Sequence, residues 1–423
     1  MLIFHGMGQQ VRYETLGLVA KSLLDRAEQE WCAAYPDAVA HPFPQSSRIQ
    51  VFEQGGEQIA RAELDWTDAK GNQHSVHLYE AYWAPITEGK VGYWDTVKFL
   101  TSAAWSGLKE SWKPYQLTFQ RWMFGELKEM EITGGTFVAL GGILLFLLLT
   151  VGAITYITAQ TASIIKELSP LNFRSLLSPH NALWFVLIGI AYYLRNIIIQ
   201  YPGSVAAYIS PYKDSKFDDI RRKIRKVGLD MAKLIYGYGG TQPPTPEYNR
   251  VVFVGHSLGS VIAYDTLNAV HCLDNIAAAV PATNPNGLRL SDDFRDIVTR
   301  TRALITFGSP LDKTAFLFRT QPNHVKDPLR EQMAAGVQPL IVSVDYRPKD
   351  FRWINIWCKK DIISGSLDYY DDPAWHQLPV GDPIRNCCVD NRIDKDAVWP
   401  LAAHIEYWQH EELAKTLYEE AIR

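Results

Sequence analysis

Three short apolar runs stand out in the C-terminal half of the chain, each bounded by turn or helix signals. RVVFVGH leads into SVIAYDTLNAV, RALITFGSP precedes another helical candidate, and FRWINIWC ends in KKD. Predominantly apolar runs of this length read as strands covered on both faces, as in parallel sheets. Their alternation with helical patterns predicts an α/β fold with a mostly parallel central sheet flanked by helices. The start of the chain, the region near Ile49 and SVHLYEAYW are further strand candidates, and GYGGTQPPTPEYN reads as a turn-rich connector.

The centre of the chain has another character. No charged residue occurs between positions 132 and 165, longer than the roughly 20 apolar residues an α-helix needs to cross a bilayer. This places one span near 134–158. A second, near 181–201, contains Arg195, whose stem can lie along apolar surface with its head at the interface. Before them, Trp105, Leu108, Trp112, Tyr115, Phe119 and Trp122 share one helical face, with Lys109, Lys113 and Arg121 beside it. That segment suits a membrane headgroup region or a lid on the main domain, and Pro114 should bend it. The resulting division is 1–92 and 203–423 as two parts of one domain, separated by a membrane-associated insertion at 93–202. Arg221, Arg222, Lys223, Arg225 and Lys226 follow the second span, whereas the loop between the spans holds only Lys166 and Arg174 as cations. The positive-inside tendency therefore sets the main domain on the cytoplasmic side, anchored by a helical hairpin. The basic cluster is a candidate for contact with anionic lipid headgroups.

Composition narrows the class further. With 42 Lys+Arg against 46 Asp+Glu, the net charge of -4 gives no electrostatic case for nucleic acid. A 47% hydrophobic and 21% charged content excludes wholesale disorder. The five cysteines, Cys32, Cys272, Cys358, Cys387 and Cys388, lack the spacing of a zinc site or disulfide framework, which favours reduced thiols in a cytosolic main body. MLIFHGMGQQ carries no signal-peptide pattern. No metal motif, phosphate-binding glycine loop or dinucleotide fingerprint is present, so no metal or cofactor is expected.

The sharpest chemical signal is VVFVGHSLGSVIAYD, a G-x-S-x-G pattern between an apolar strand and a helix. It comprises Gly255, His256, Ser257, Leu258 and Gly259. A serine on a sharp strand-to-helix turn has strained backbone angles, and flanking glycines relieve the crowding. The turn points the hydroxyl into a site, while the helix N-terminus offers donors and positive potential to an oxyanion.

GHSLGSVIAYD resembles the nucleophile elbow of the α/β-hydrolase superfamily, particularly its lipase and esterase branches. The resemblance implies the α/β-hydrolase fold, a Ser–acid–His triad in that chain order, and an oxyanion hole built partly by an earlier loop. LIFHGMGQQ is similar to the H-G-x loop of many lipases, with His5, Gly6, Met7 and Gly8 in its positions. Carried over, the oxyanion donors are the backbone N–H groups of Met7 and Leu258. The strands that usually precede this loop are absent or supplied elsewhere, with SVHLYEAYW and the Ile49 region as the candidates. The base should be a late histidine: His404 is preferred, with His376, His410 and His324 as rivals. The acid should follow a strand between serine and base: Asp361 is preferred, with Asp312, Asp345 and Asp350 as rivals.

These residues imply a membrane-anchored serine hydrolase that cleaves acyl esters, with membrane lipids as its expected partners. The alternatives are a thioesterase or soluble-ester esterase merely localised at the membrane, or a non-catalytic membrane protein that uses a hydrolase-like fold for binding.

Overall fold

The computed structural model describes residues 1–6, 10–37, 40–54, 56–110, 145, 148–149, 151–157, 159, 189, 192, 195, 203–209, 215–237, 247–279, 297–311, 314, 351–361, 363–367, 370, 389–396 and 403–422. Its strands are β1 (Leu2–Phe4), β2 (Gln45–Gln54), β3 (Glu57–Thr67), β4 (Gln73–Ala81), β5 (Val251–His256), β6 (Thr301–Phe307), β7 (Arg352–Trp357) and β8 (Asp390–Ile393). They form a mixed 8-stranded sheet in the order β2-β3-β4-β1-β5-β6-β7-β8. From β4 to β8 every neighbouring pair is parallel, while β3 runs antiparallel to both β2 and β4.

The apolar runs become the central strands because both of their faces are covered. In β1, Leu2 and Phe4 join the core on one side, and Ile3 joins the core on the other. β5 divides likewise, Val251 and Phe253 against Val252 and Val254. This is the two-residue period of a strand between two helical layers. One layer contains α4 (Ser215–Tyr236) and α5 (Leu258–Ala279), through side chains such as Ile220, Ile224, Val261 and Ile262. The other contains α1 (Glu14–Ala34) and the C-terminal α8 (Glu411–Ile422), through Val19, Leu23, Leu413 and Leu417.

Between β4 and α4 lie α2 (Ala84–Thr87) and α3 (Tyr93–Glu110), while α6 (Ile297–Arg300) leads into β6 and α7 (Ala403–Glu406) precedes α8. Strands form in both candidate regions after the first loop, β2 around Ile49 and β4 over most of SVHLYEAYW. β2, β3 and β4 form a meander after α1, and β4 returns to lie parallel to β1. A first strand of only three residues thus becomes central, with Leu2, Ile3 and Phe4 all 0% exposed.

The expected insertion begins where α3 begins, at Tyr93. Tyr93 and Val97 pack with Ile154. Trp105 and Leu108 lie in α3, whereas Trp112, Tyr115, Phe119 and Trp122 lie outside the described residues. So does most of the two expected spans, whose described positions 145, 148–149, 151–157, 189, 192 and 195 are helical. Among the described residues, no helix is long and apolar enough to cross a membrane.

The basic cluster falls on α4 and divides by helical face. Arg221 is not available to a headgroup: it is buried, pairs with Asp265 at 3.3 Å and lies over the Tyr208 ring. Its position places it on the inward stripe with Phe217 and Ile224. Arg222 and Lys223 are exposed and pair with Asp219, and Lys226 pairs with Asp230. Exposed pairs one helical turn apart contribute little to stability.

Candidate active site

The central parallel strands deliver the candidate residues to one end of the sheet. β5 ends at His256, and Ser257 occupies the turn before α5 with φ 52°, a left-handed conformation rare for a residue with a side chain. Two glycines make this turn sterically accessible. A Cβ on Gly255 would lie 2.6 Å from the Ser260 Cα, and one on Gly259 would lie 2.3 Å from the Phe4 carbonyl oxygen and 2.4 Å from that of His5. The turn is further tied by the Ser257 N–H to the Phe307 carbonyl at 3.0 Å and by the Ser260 hydroxyl to the Gly255 carbonyl at 2.7 Å.

Asp361 lies just after β7, in a turn closed by its N–H to the Cys358 carbonyl at 3.0 Å. His404 lies in α7. The structure brings these distant residues together: His404 Nε2 is 2.8 Å from Ser257 Oγ, and His404 Nδ1 is 2.9 Å from Asp361 Oδ2. An ionised carboxylate only accepts, so Nδ1 carries the imidazole proton and Nε2 is left to accept from the serine. Burial pushes the Asp361 carboxyl upward. Hydrogen bonds from the His404 Nδ1–H and the Ile363 N–H, with the attraction of the imidazole once it is protonated, outweigh it and hold the acid well below the ordinary carboxylate range.

Two further residues complete the hydrogen bonding, and sequence reasoning did not single them out. The Tyr407 hydroxyl donates to Asp361 Oδ2 at 3.0 Å, and Ser364 Oγ lies 2.9 Å from that hydroxyl. Tyr407 follows His404 by three positions, the spacing that sets two side chains on one helical face. That was the signal available in HIEY. Ser364 offered no comparable cue, because its approach depends on the loop after β7.

The neighbouring histidines are structural supports. His256 is buried beside Phe307, and its Nε2 lies 3.1 Å from the His404 carbonyl. Burial, reinforced by the His404 charge, lowers its pKa to about 3, so it is neutral and donates from Nε2. His5 is also buried. Its Nε2 accepts the Trp83 N–H at 3.1 Å, leaving Nδ1–H to donate to the Gly6 carbonyl at 3.0 Å. The Trp83 indole stacks on it at 4.7 Å. Burial brings this imidazole down to about 4. Met7 and Gly8 lie outside the described residues, while Leu258 is the first residue of α5, a position whose N–H has no intrahelical partner.

Among the rivals, His410 points to a different carboxylate, with Nδ1 2.5 Å from Asp394 Oδ2. His324, His376, Asp312, Asp345 and Asp350 lie outside the described residues. Among the described residues no His, Cys, Asp and Glu group is arranged to hold a metal. Cys32 and Cys358 are free thiols.

The arrangement can make a serine nucleophilic: an acceptor nitrogen faces its hydroxyl, and a buried anion stands behind the imidazole. Ser257 is itself only 1% exposed, so its hydroxyl faces His404 rather than solvent. No family model matches this chain, and neither a curated protein nor a solved structure is significantly similar to it.

Proposed function

We propose that this chain is a membrane-anchored serine hydrolase of the lipase and esterase type, built on an α/β-hydrolase fold and acting on acyl esters of membrane lipids. The observation that carries the reading is the continuous path Ser257 Oγ, His404 Nε2, His404 Nδ1, Asp361 Oδ2, with links of 2.8 and 2.9 Å. The strained φ of Ser257 supports it, because strain concentrated at one polar residue between a strand and a helix is a feature of functional sites. The parallel strands β1 and β5 to β8, with residues gathered beyond their carboxyl ends, support the fold assignment.

In this mechanism Ser257 Oγ attacks the ester carbonyl carbon while His404 Nε2 takes its proton. The tetrahedral oxyanion is held by the Leu258 and Met7 N–H groups. His404 then returns the proton to the leaving alcohol, giving an acyl-serine and the free alcohol. Water, deprotonated by the same nitrogen, attacks that acyl group, and the collapsing intermediate releases the acid and restores Ser257. Asp361 remains ionised and stabilises the imidazolium.

Apolar exposure supports the membrane side of the reading. Leu145, Leu148, Leu149 and Tyr156 are exposed at helical positions, and Trp94 at the start of α3 is 62% exposed. A fluorophosphonate probe should label the wild-type protein and not Ser257→Ala, and lipid-class profiling of the same pair should show one ester class accumulating in the variant. Equal labelling of both proteins would remove Ser257 as nucleophile. Selective labelling accompanied by turnover of water-soluble esters or thioesters alone would remove the lipid assignment.

A further inference from the structure

The carboxylate of Asp361 receives more than a triad needs. Its Oδ1 accepts the Ile363 N–H at 2.9 Å, while Oδ2 accepts both the His404 Nδ1–H at 2.9 Å and the Tyr407 hydroxyl at 3.0 Å. A phenol has one proton to donate. With that proton on Asp361, the Ser364 hydroxyl 2.9 Å away must donate to the Tyr407 oxygen. The hydrogen bonds therefore run in one direction, from Ser364 to Tyr407 to Asp361. Both hydroxyl-bearing residues are buried, Tyr407 at 0% exposure.

We propose that Tyr407 is a positioning residue for this site, held by Ser364, and that it sets both the orientation and the acceptor strength of the Asp361 oxygen that faces His404. The proposal rests on the hydrolase reading above. Two donors on one oxygen act in opposite senses. They hold the carboxylate in the plane that meets the imidazole, and they share its negative charge, so that the imidazolium is stabilised less than by an undivided carboxylate. The phenol is suited to this duty because burial and the Asp361 charge both raise its pKa, keeping the proton on oxygen. The other titratable groups that interact with this pair are His256 from the elbow and Cys358, the residue after β7.

The role has a signature that simple packing lacks. In Tyr407→Phe the ring remains and the donor is lost. Oδ2 then becomes the stronger acceptor for His404, which holds its proton more firmly, so the midpoint of the pH profile rises. The less constrained carboxylate lowers the rate at the plateau.

The experiment measures the second-order rate of fluorophosphonate labelling against pH for wild type, Tyr407→Phe and Ser364→Ala, with Ser257→Ala as control. Tyr407→Phe is expected to lower the plateau about tenfold and raise the midpoint by about half a pH unit or more. Ser364→Ala should move the midpoint in the same direction by less. An unmoved midpoint in Tyr407→Phe, whatever its plateau, overturns the proposal. If that variant does not fold, an unmoved midpoint in Ser364→Ala overturns it instead. Absence of Ser257-dependent labelling in the wild type would overturn the hydrolase reading, and this proposal with it. Normal wild-type labelling with unshifted variants would remove only the role of Tyr407.

Discussion

Replacing Asp361 by asparagine tests the site at its buried end. The carboxylate accepts His404 Nδ1–H and the Tyr407 hydroxyl at Oδ2, and the Ile363 N–H at Oδ1, all between 2.9 and 3.0 Å. An amide has only one acceptor oxygen. With that oxygen at Oδ2, the new NH2 group meets the Ile363 N–H; turned over, it meets both His404 and Tyr407. Either way at least one buried donor loses its partner, at about 1–3 kcal/mol, which should lower the melting temperature by a few degrees.

The effect on reactivity should be far larger. With the amide turned over, His404 must accept from its NH2 at Nδ1 and carry its own proton on Nε2, which then has no lone pair to take the Ser257 proton. Loss of the anion also removes the charge that stabilises the imidazolium. Together these should slow fluorophosphonate labelling of Ser257 on the order of 10³- to 10⁴-fold, with the protein still folded by circular dichroism. A folded Asp361→Asn protein labelled within about threefold of the wild-type rate would refute the assignment of Asp361 as the acid.

Three further perturbations probe the scaffold. Gly259→Ala puts a methyl group 2.3 Å from the Phe4 carbonyl oxygen and 2.4 Å from that of His5, and the forced separation of α5 from β1 should cost about 3 kcal/mol or more; an unchanged melting temperature would contradict the close approach. Arg221→Ala leaves the buried Asp265 carboxylate with the Tyr208 hydroxyl but without its cation and should destabilise by about 3 kcal/mol, whereas Arg222→Ala on the exposed face should melt like wild type; equal effects would show that the two faces of α4 are misassigned. Burial pushes the Glu80 carboxyl up to about 7, against the hydrogen bond it accepts from the Tyr13 N–H and the nearby charge of Arg12. Because the folded protein holds this proton more tightly than the unfolded chain, the wild type should lose on the order of 2–3 kcal/mol as pH rises from the ordinary carboxylate range to about 7. Chemical denaturation across that window should show a smaller loss for Glu80→Gln, and parallel curves for the two proteins would refute the assignment.

What was legible in the chain beforehand was local. An unbroken apolar run before Gly255, glycines on either side of the serine, and apolar helical periodicity after it are short-range constraints on backbone angles and burial. They were enough to specify a strand in RVVFVGH, a tight turn at the serine and a helix in SVIAYDTLNAV, which the structure extends to Ala279. The same applies to the strands that end at Phe307 and Trp357, because a segment covered on both faces is mostly apolar, and its few polar side chains, such as Asn355, are hydrogen-bonded inside. Residues of the first expected span were legible only in composition; positions 145, 148–149 and 151–157 are helical, and the rest lie outside the described residues.

The pairing of distant residues was decided by the tertiary structure. His404 and His410 lie six positions apart in one segment, and each bonds to a different aspartate, Asp361 or Asp394. Chain position favoured His404, but the pairing itself is fixed by the strand order: β7 lies next to β6 and β6 next to β5, which brings the loop after β7, with Asp361, within reach of the serine turn. The inward face of Arg221 and the direction of the Tyr407 hydroxyl were likewise set by which helix packs on which strand. Sequence patterns act over a few residues because they reflect torsion angles and solvent exposure. Contacts spanning 147 positions, as between Ser257 and His404, depend on where a folded sheet places its strand ends.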